Sequence, residues 1–327
     1  MEGFALSEIA LWQRGRKYLR VAALRDYGIV FAFVALFLTL SITSGAFFTR
    51  ANLLNVLFEA APVGIMACGG TLVFIAGGFD LSVGAVSALA GVIAAEMAVH
   101  AGVVPSLILG ALAGLGVGVL NGVVVTIGRI NAFIATFASS IMIRGLALAI
   151  TGGFLVSVSA PSFAHLGLGT LLGLRTPVYV WIGFALFCGF ILARTSLGQY
   201  IYAAGGNAEA ARLSGVRVAL VRTTAFAISG LSGGIAGIIL TSEVSAGQAD
   251  ANTGIEFSAI AAIVIGGTSI LGGEGAIWRS VLGALLFQLI GNGFNLLNVQ
   301  PVYQQVFEGA IMLLAVGIDA WARATRR

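Results

Sequence analysis

Charged residues are scarce in this chain: Asp, Glu, Lys and Arg together make up only 9% of its 327 residues. A soluble globular domain carries about 25%. The chain is also 59% hydrophobic, with a mean hydropathy of +1.03. Too few polar side chains are present to cover a surface in water, whereas a surface that meets lipid needs none. The composition therefore excludes a water-soluble fold and indicates a polytopic membrane protein.

Cysteine, histidine and lysine are nearly absent, which limits the available chemistry. The two cysteines, Cys68 and Cys188, lie in apolar segments away from any histidine, so neither a disulfide nor a metal site is expected. The single lysine, Lys17, precedes a tyrosine and not a serine or threonine, so the chain has no P-loop and is not an ATPase. His100 and His165 complete no catalytic constellation. We expect no enzymatic activity and no cofactor.

Proline is rare as well, with 5 prolines against 46 glycines. The glycines follow no fixed period, which excludes a collagen-like chain, and small residues suit close helix packing in lipid. The net charge of +4 comes from basic residues scattered across the ends of apolar segments. Such placement reports membrane orientation, so nucleic acid is not an expected partner.

Ten apolar segments reach, or nearly reach, the length of about 20 residues that a bilayer-spanning helix needs. They lie near 27–48, 59–77, 81–99, 104–127, 131–151, 178–194, 219–241, 256–271, 277–297 and 303–320. The first is too long for the apolar region of a signal peptide and is expected to be a retained span. The eighth, interrupted by Gly266 and Gly267, is a candidate for a broken or partly inserted helix. We expect an all-α membrane protein of about ten transmembrane helices.

The distribution of charge gives an independent check, because Lys and Arg accumulate in cytoplasmic loops. Both ends of the chain are basic, and two cytoplasmic ends require an even number of spans. The loop 195–218 then lies on the same side and is also basic, whereas the outer loop 242–256 carries three acids and no basic residue. The expected division is a basic cytoplasmic segment 1–26, a transmembrane domain 27–322 and a basic cytoplasmic tail 323–327.

Two short motifs recur in the second half of the chain. Residues 78–82, Gly-Phe-Asp-Leu-Ser, are matched in type by Gly-Ile-Glu-Phe-Ser at 254–258, and Leu-Gly-Ala-Leu occurs at both 109–112 and 282–285. The second match alone is of the kind that composition produces by chance. The matched helices are the third with the eighth and the fourth with the ninth, an odd offset that turns the second copy over in the membrane. The sequence thus predicts an inverted repeat, a plan that encloses a path near the midplane.

Polar residues within or beside the repeat-related helices are candidates for lining that path. Asp80 and Glu256 each begin a predicted helix, where a carboxylate can accept hydrogen bonds from free backbone N–H groups, and a purely structural cap is the alternative. Amides donate and accept, so they suit a neutral polyol, although they also hold helices together. Other acids near segment ends are expected at the membrane interface: Glu59, Glu96 and Glu308. The expected translocation path comprises Asp80, Ser82, Asn121, Asn131, Glu256, Gln288 and Asn292.

The basic loop contains a short helix with its start and stop signals intact. Asn207 is placed to cap the helix, Glu209 falls in the first turn, Arg212 in the last turn, and Gly215 supplies a left-handed residue after it. About two turns of helix are unstable alone. The helix is therefore expected to rest on another surface, either a second protein or the rest of its own chain.

The same stretch, Tyr-Ala-Ala-Gly-Gly-Asn-Ala-Glu-Ala-Ala-Arg-Leu-Ser-Gly-Val at 202–216, resembles the coupling region of the ribose, xylose, arabinose and galactose permeases of bacterial ABC importers. Residues 77–84 and 265–273 resemble two further motifs of that family, and the resemblance extends over about 52–322. It implies a permease that pairs with a second permease chain, as a homodimer. It assigns ATPase coupling to Gly206, Asn207, Glu209, Arg212 and Gly215.

The resemblance further implies a cytoplasmic ABC ATPase subunit as the motor and a periplasmic binding protein that delivers a monosaccharide, a pentose or hexose, to the outer loops 152–177 and 242–255. Transport would proceed by alternating access in the bacterial inner membrane, with lipid as the remaining partner. The alternative is an ion-coupled secondary transporter of a small polar solute. Such coupling usually needs acids deep in the bundle, and the acids here fall near segment ends.

Overall fold

The computed structural model describes residues 27–324, with part of the side chains of the last helix. The basic segment 1–26, the end of the tail at 325–327 and the side chain of Glu308 lie outside the described part. The helices are α1 Tyr27–Thr43, α2 Arg50–Ile75, α3 Val83–His100, α4 Val103–Thr126, α5 Ala132–Thr151, α6 Pro161–Leu168, α7 Thr176–Arg194, α8 Ser196–Gly206, α9 Ala208–Leu213, α10 Val218–Val244, α11 Ile255–Ile265, α12 Ile277–Leu296 and α13 Pro301–Ala324.

Strands contribute little to the described part of the chain. The two-residue strands β1 Val156–Ser157 and β4 Ala246–Gly247 pair antiparallel, as do β2 Thr170–Leu171 and β3 Leu174–Arg175. Six of the described helices, α2, α3, α4, α5, α7 and α10, are long and apolar enough to cross a membrane. The predicted all-α polytopic membrane fold is confirmed.

Most predicted segments coincide with a helix to within a few residues, and α2 is the main exception. It begins at Arg50, nine residues before the predicted boundary, and Thr49 caps it by accepting a hydrogen bond from the Asn52 N–H. The first turns contain Asn52, Asn55 and Glu59, whose low hydropathy hid the start of the helix. Glu59 therefore lies about 13 Å inside α2, and the expectation that it marks a segment end was wrong.

The core of the bundle is α10, which packs against α2, α3 and α4. Glycines let the backbones of α4 and α10 touch. A Cβ on Gly114 would lie 2.5 Å from the Gly230 carbonyl oxygen, and one on Gly118 would overlap the Phe226 carbonyl oxygen. This is the close approach of small residues that stabilises helix pairs in lipid.

The chain between α10 and α11 turns back into the bundle along α3. A Cβ on Gly247 would meet Val92 and Ala95, the Asn252 amide donates to Ser87 Oγ at 3.2 Å, and the Glu256 carboxylate lies against Gly84. Non-helical backbone at this depth is tolerated because protein surrounds it.

Helix α11 consequently starts beside the first turn of α3, where Glu256 lies against Gly84, and it has only 11 residues, about 16 Å. It ends where Gly267 adopts a φ of +77°. Helices α3 and α11 run in opposite directions, which is the relationship that an inverted repeat requires of this pair. The repeat itself stays a prediction.

One end of the bundle is formed around α8 and α9, and we call it the α8–α9 end. There the Gly273 N–H donates to the Ile75 carbonyl at 2.8 Å, and the Tyr202 hydroxyl donates to the Gly275 carbonyl at 2.8 Å. These bonds join α8, the end of α2 and the loop before α12. The opposite end carries α6 and both strand pairs.

Candidate translocation path and coupling surface

The short helix α9 stands at the α8–α9 end with the start signal that the sequence predicts. Asn207 Oδ1 accepts hydrogen bonds from the backbone N–H of Glu209 at 3.1 Å and of Ala210 at 3.0 Å. Gly206 is the last residue of α8, and a Cβ there would meet nothing within 4 Å. The junction between α8 and α9 therefore consists of a glycine with free space beside it, Gly206, and the capping residue of α9, Asn207.

The end of α9 is also as predicted. Gly215 has a φ of +87°, and its N–H donates to the Arg212 carbonyl at 3.0 Å, which closes the helix. The exposed guanidinium of Arg212 donates to Glu209 Oε1 at 2.7 Å, and this bond raises the pKa of Arg212. Leu213 is 78% exposed beside this pair. A charged pair and an exposed leucine on a rigid rod form a surface suited to a protein partner.

Arg222 ties α8 to the end of α2, a contact that the sequence does not indicate because the acceptors, the backbone carbonyls of Ala76 and Ala204, are distant from Arg222 in the chain. Its Nε donates to the Ala76 carbonyl at 2.9 Å and its Nη2 to the Ala204 carbonyl at 3.3 Å. A cation near the C-terminal carbonyls of helices is also favoured by their dipoles. The Arg222 side chain thus connects α8 with the start of the connection between α2 and α3.

That connection contains Asp80, the centre of a buried polar network. Asp80 Oδ1 accepts from the backbone N–H of Ser82 at 2.9 Å and from its hydroxyl at 2.6 Å. The Asn121 amide donates to Ser82 Oγ at 2.8 Å, and Ser229 Oγ donates to Asp80 Oδ2 at 2.7 Å. The structure thus brings Asp80, Ser82 and Asn121 together and adds Ser229, which the sequence reasoning did not consider. The network joins α3, α4 and α10.

Glu256 lies in the first turn of α11, at a helix start as expected, and its carboxylate contacts Arg144 of α5. Arg144 Nη2 lies 3.8 Å from Glu256 Oε2, and Arg144 Nη1 donates to Thr253 Oγ1 at 3.2 Å and to the Ala251 carbonyl at 3.4 Å. Arg144 therefore holds the returning segment before α11 against α5. The signal that could have identified it was a lone arginine inside the apolar segment 131–151, because a charge at membrane depth usually has a function.

The remaining candidate amides divide between two roles. Asn131 caps its own helix: its Oδ1 accepts from the N–H of Phe133 at 3.0 Å and of Ile134 at 3.4 Å. Asn292 on α12 instead pairs with Asn52 on α2 through two amide hydrogen bonds of 2.8 and 3.1 Å. This capping role accounts for an asparagine at position 131, and no part in a translocation path is needed to explain it.

Gln288 joins a third polar group. Its Nε2 donates to Glu59 Oε2 at 2.5 Å, and the Asn55 amide donates to Glu59 Oε1 at 2.8 Å. Asn55 and Glu59 are exposed on α2, facing α12. The predicted path residues therefore fall into separate groups: the Asp80 network, the Arg144–Glu256 contact, the α2–α12 amides, and Asn131 alone.

These groups offer hydrogen bonds and a few charges. Among residues 27–324, no group of three or more His, Cys, Asp or Glu side chains is placed to hold a metal ion. A multi-pass helical bundle with polar groups inside and a short capped helix exposed at one end has the features expected of a membrane transport protein.

Comparison with known proteins identifies the family within this class. Residues 52–316 match the family model described as "Branched-chain amino acid transport system / permease component", and the chain belongs to that family of permeases. It is therefore a transport subunit and not an enzyme. The membership that the sequence motifs predict, in the permeases of import systems, is confirmed.

Curated relatives match over most of their length. The ribose import permease protein RbsC of Escherichia coli (strain K12) is 40% identical over 314 residues, 93% of this chain and 97% of the relative. The L-arabinose ABC transporter permease protein AraH of Azospirillum brasilense is 39% identical over 303 residues, 92% of this chain and 89% of the relative. RbsC of Bacillus subtilis (strain 168) is 38% identical over 288 residues, which cover 87% of this chain and 89% of the relative. No solved structure matches the chain.

Proposed function

We propose that this chain is the membrane-spanning permease of an ATP-driven importer of a monosaccharide. The observation that carries the proposal is similarity over nearly the whole chain to permeases named for two different sugars, ribose and arabinose. Both are pentoses, so pentoses are the first substrates to test, with hexoses next. Neutral sugars must exchange water hydrogen bonds for protein ones, and the hydroxyl and amide groups of the site provide both donors and acceptors.

The motor of this importer is a separate ABC ATPase subunit, since the one lysine of the chain is not part of a P-loop. It binds the exposed face of α9, through Glu209, Arg212 and Leu213, with Gly206, Asn207 and Gly215 setting the shape of the rod. A periplasmic binding protein delivers the sugar at the opposite end of the bundle. A second copy of this chain completes the path, and lipid surrounds the pair.

The location that follows is the bacterial inner membrane, with the α8–α9 end in the cytoplasm. Residues 27–322 form the transmembrane permease domain, while the basic segment 1–26 and tail 323–327 remain on the cytoplasmic side. Support comes from the basic loop 195–218 and from the acidic, arginine-free loop 242–256.

Transport then proceeds by alternating access. ATP binding moves α9 and α8, and Arg222 transmits the movement to Ala76 at the end of α2. The connection that follows carries Asp80, so the hydrogen-bond network shared by α3, α4 and α10 shifts with it. The Arg144–Glu256 contact, between α5 and α11, opens and closes the path. The family match favours this mechanism over ion coupling.

The test is uptake into proteoliposomes that contain the permease with its ATPase, supplied with binding protein. We expect ATP-dependent accumulation of labelled ribose or arabinose, and no accumulation of labelled leucine. Leucine is the necessary comparison because the family description refers to branched-chain amino acids. Uptake of leucine but of no pentose or hexose would overturn the proposal.

A further inference from the structure

A long groove separates α7 from α12 on the outside of the bundle. Its volume is about 1000 Å³, and it extends from Leu174 to Arg194 along the whole of α7. That helix has 19 residues and is about 28 Å long. The walls are built mainly by large apolar side chains of α7 and α12, among them Trp181, Leu186, Phe190, Leu282 and Leu285.

The polar groups of the groove are concentrated at the α8–α9 end. Arg194, Tyr202 and Trp278 line it there. The exposed Arg194 makes no hydrogen bond or ion pair with any residue that the structure describes. Trp278 is 47% exposed. Aromatic rings beside a basic residue are typical of the level where lipid headgroups meet the hydrocarbon.

We propose that this groove binds one phospholipid with an anionic headgroup, its acyl chains lying along α7 and its phosphate at Arg194. A guanidinium binds phosphate oxygens through paired, charge-assisted hydrogen bonds. The N–H groups of the Arg194 guanidinium are available for such bonds, since no residue that the structure describes accepts them. The apolar walls suit acyl chains and offer nothing to a sugar. The proposal rests on the membrane location of the helices and not on the transported substrate.

Charge distinguishes this occupant from the segment 1–26. That segment carries five basic residues, Arg14, Arg16, Lys17, Arg20 and Arg25, against three acids, Glu2, Glu8 and Asp26, so Arg194 repels its net positive charge, whereas an anionic headgroup is attracted to Arg194. The bound lipid would also touch Tyr202 of α8, whose hydroxyl donates to the loop before α12. It therefore lies at the joint between the α8–α9 end and the transmembrane helices.

The test is native mass spectrometry of the purified full chain with added phosphatidylglycerol or phosphatidylcholine. We expect one retained phosphatidylglycerol per chain, and about tenfold weaker retention after Arg194→Gln, equivalent to about 1.4 kcal/mol. Arg217→Gln is the matched control, because Arg217 is exposed at the same end but does not line the groove.

A second pair of variants tests whether the acyl chains lie in the apolar part of the groove. Gly189 lines the groove and Gly183 does not, yet a Cβ on either glycine meets nothing within 4 Å. Gly189→Phe should therefore reduce the retention of phosphatidylglycerol, and Gly183→Phe should leave it unchanged. Equal retention of the two lipids by the wild type would overturn the proposal. So would phosphatidylglycerol retention that neither Arg194→Gln nor Gly189→Phe reduces, or a change of oligomeric state with Gly189→Phe while the lipid stays bound.

Discussion

Arg144 and Glu256 face each other between α5 and α11, with Nη2 and Oε2 3.8 Å apart, and neither of these two buried atoms has a hydrogen-bond partner in the described part of the chain. A distance of 3.8 Å is too long for a direct hydrogen bond. The two charges compensate each other without being fully satisfied. Separation of α5 from α11 would break this long ion pair and the two hydrogen bonds from Arg144 Nη1 to Thr253 Oγ1 and the Ala251 carbonyl, which is the step that the proposed gate requires.

The effects of losing Arg144 and of losing Glu256 on stability should be coupled. Arg144→Gln or Glu256→Gln leaves the other charge unpaired inside the bundle, which we expect to lower stability by about 1–3 kcal/mol and to reduce uptake. The double variant should be less unstable than the sum of the two changes, since residues in contact are coupled. Thermal unfolding in detergent measures the stability of all three.

The control for this cycle is Glu96→Gln. Glu96 is also paired, with His100 at 3.5 Å, but within one helix and at an exposed end. We expect almost no effect there, because exposed pairs contribute little. Strict additivity of the Arg144 and Glu256 changes, with normal uptake by both single variants, would contradict the gate.

Asn207 and Asn131 allow coupling to be separated from helix capping. Each amide oxygen accepts two backbone hydrogen bonds at the start of a helix. Substitution of either by alanine should remove about 1 kcal/mol of helix stability. Only Asn207→Ala should reduce the stimulation of ATP hydrolysis by the loaded binding protein, because in the proposed mechanism α9, and not α5, contacts the ATPase. Equal effects of the two substitutions on ATP hydrolysis would be evidence against this assignment.

Reversal of charge at Arg212 should uncouple transport without unfolding the permease. Arg212→Glu removes the hydrogen bond to Glu209 from an exposed surface, so we expect a fold of normal stability with ATP hydrolysis that no longer drives sugar uptake. Arg217→Glu, at an exposed position outside α9, is the control and should transport normally. Unchanged uptake by Arg212→Glu, together with normal ATPase association, would exclude the proposed role.

Arg222 should behave as a link between parts of the permease. Arg222→Met removes the two hydrogen bonds to the carbonyls of Ala76 and Ala204 while keeping an apolar stem. We expect the ATPase to remain bound and uptake to fall, because the link that Arg222 makes between the carbonyls of Ala204 on α8 and Ala76 at the end of α2 is lost. Co-purification of the ATPase and uptake, measured together, distinguish a broken link from a lost docking site. Loss of ATPase binding, or normal uptake, would contradict this view.

The contact between α4 and α10 can be tested with glycines of one helix. A Cβ on Gly118 would overlap the Phe226 carbonyl oxygen, whereas one on Gly116 would meet nothing within 4 Å. Gly118→Ala should therefore destabilise the permease by about 1–3 kcal/mol, as overpacking does. Gly116→Ala should not, and thermal unfolding compares the two. Equal stability of the variants would mean that the two backbones are not in contact.

The positions of the membrane helices could be predicted from the sequence because a long apolar run with few charges rarely forms anything but a membrane-spanning helix. The start of α2 could not, since Asn52 and Glu59 are satisfied by Asn292 and Gln288 of α12, which are distant in sequence. The cap of Asn207 was readable because its partners are two and three residues away. The partner of Glu256 was not, because the fold, and not the local sequence, brings Arg144 next to it.

The same contrast between local and distant partners applies to the site. Asp80, Ser82 and Asn121 are polar positions on or beside the helices of the predicted repeat and do form one group, but no local pattern indicates that Ser229 completes their network. Asn131 shares only its residue type with that group, and its hydrogen bonds are local to α5. Residue type indicates what a side chain can bind, and only packing decides what it meets.

The most direct test of the central claim compares sugar accumulation in vesicles that hold the permease alone with vesicles that hold the permease and its ATPase, each with binding protein outside and ATP inside. We predict accumulation above the external concentration only in the complete system, and its loss when the permease carries Arg212→Glu. Accumulation by the permease alone, without nucleotide and driven by a proton or sodium gradient, would contradict the claim.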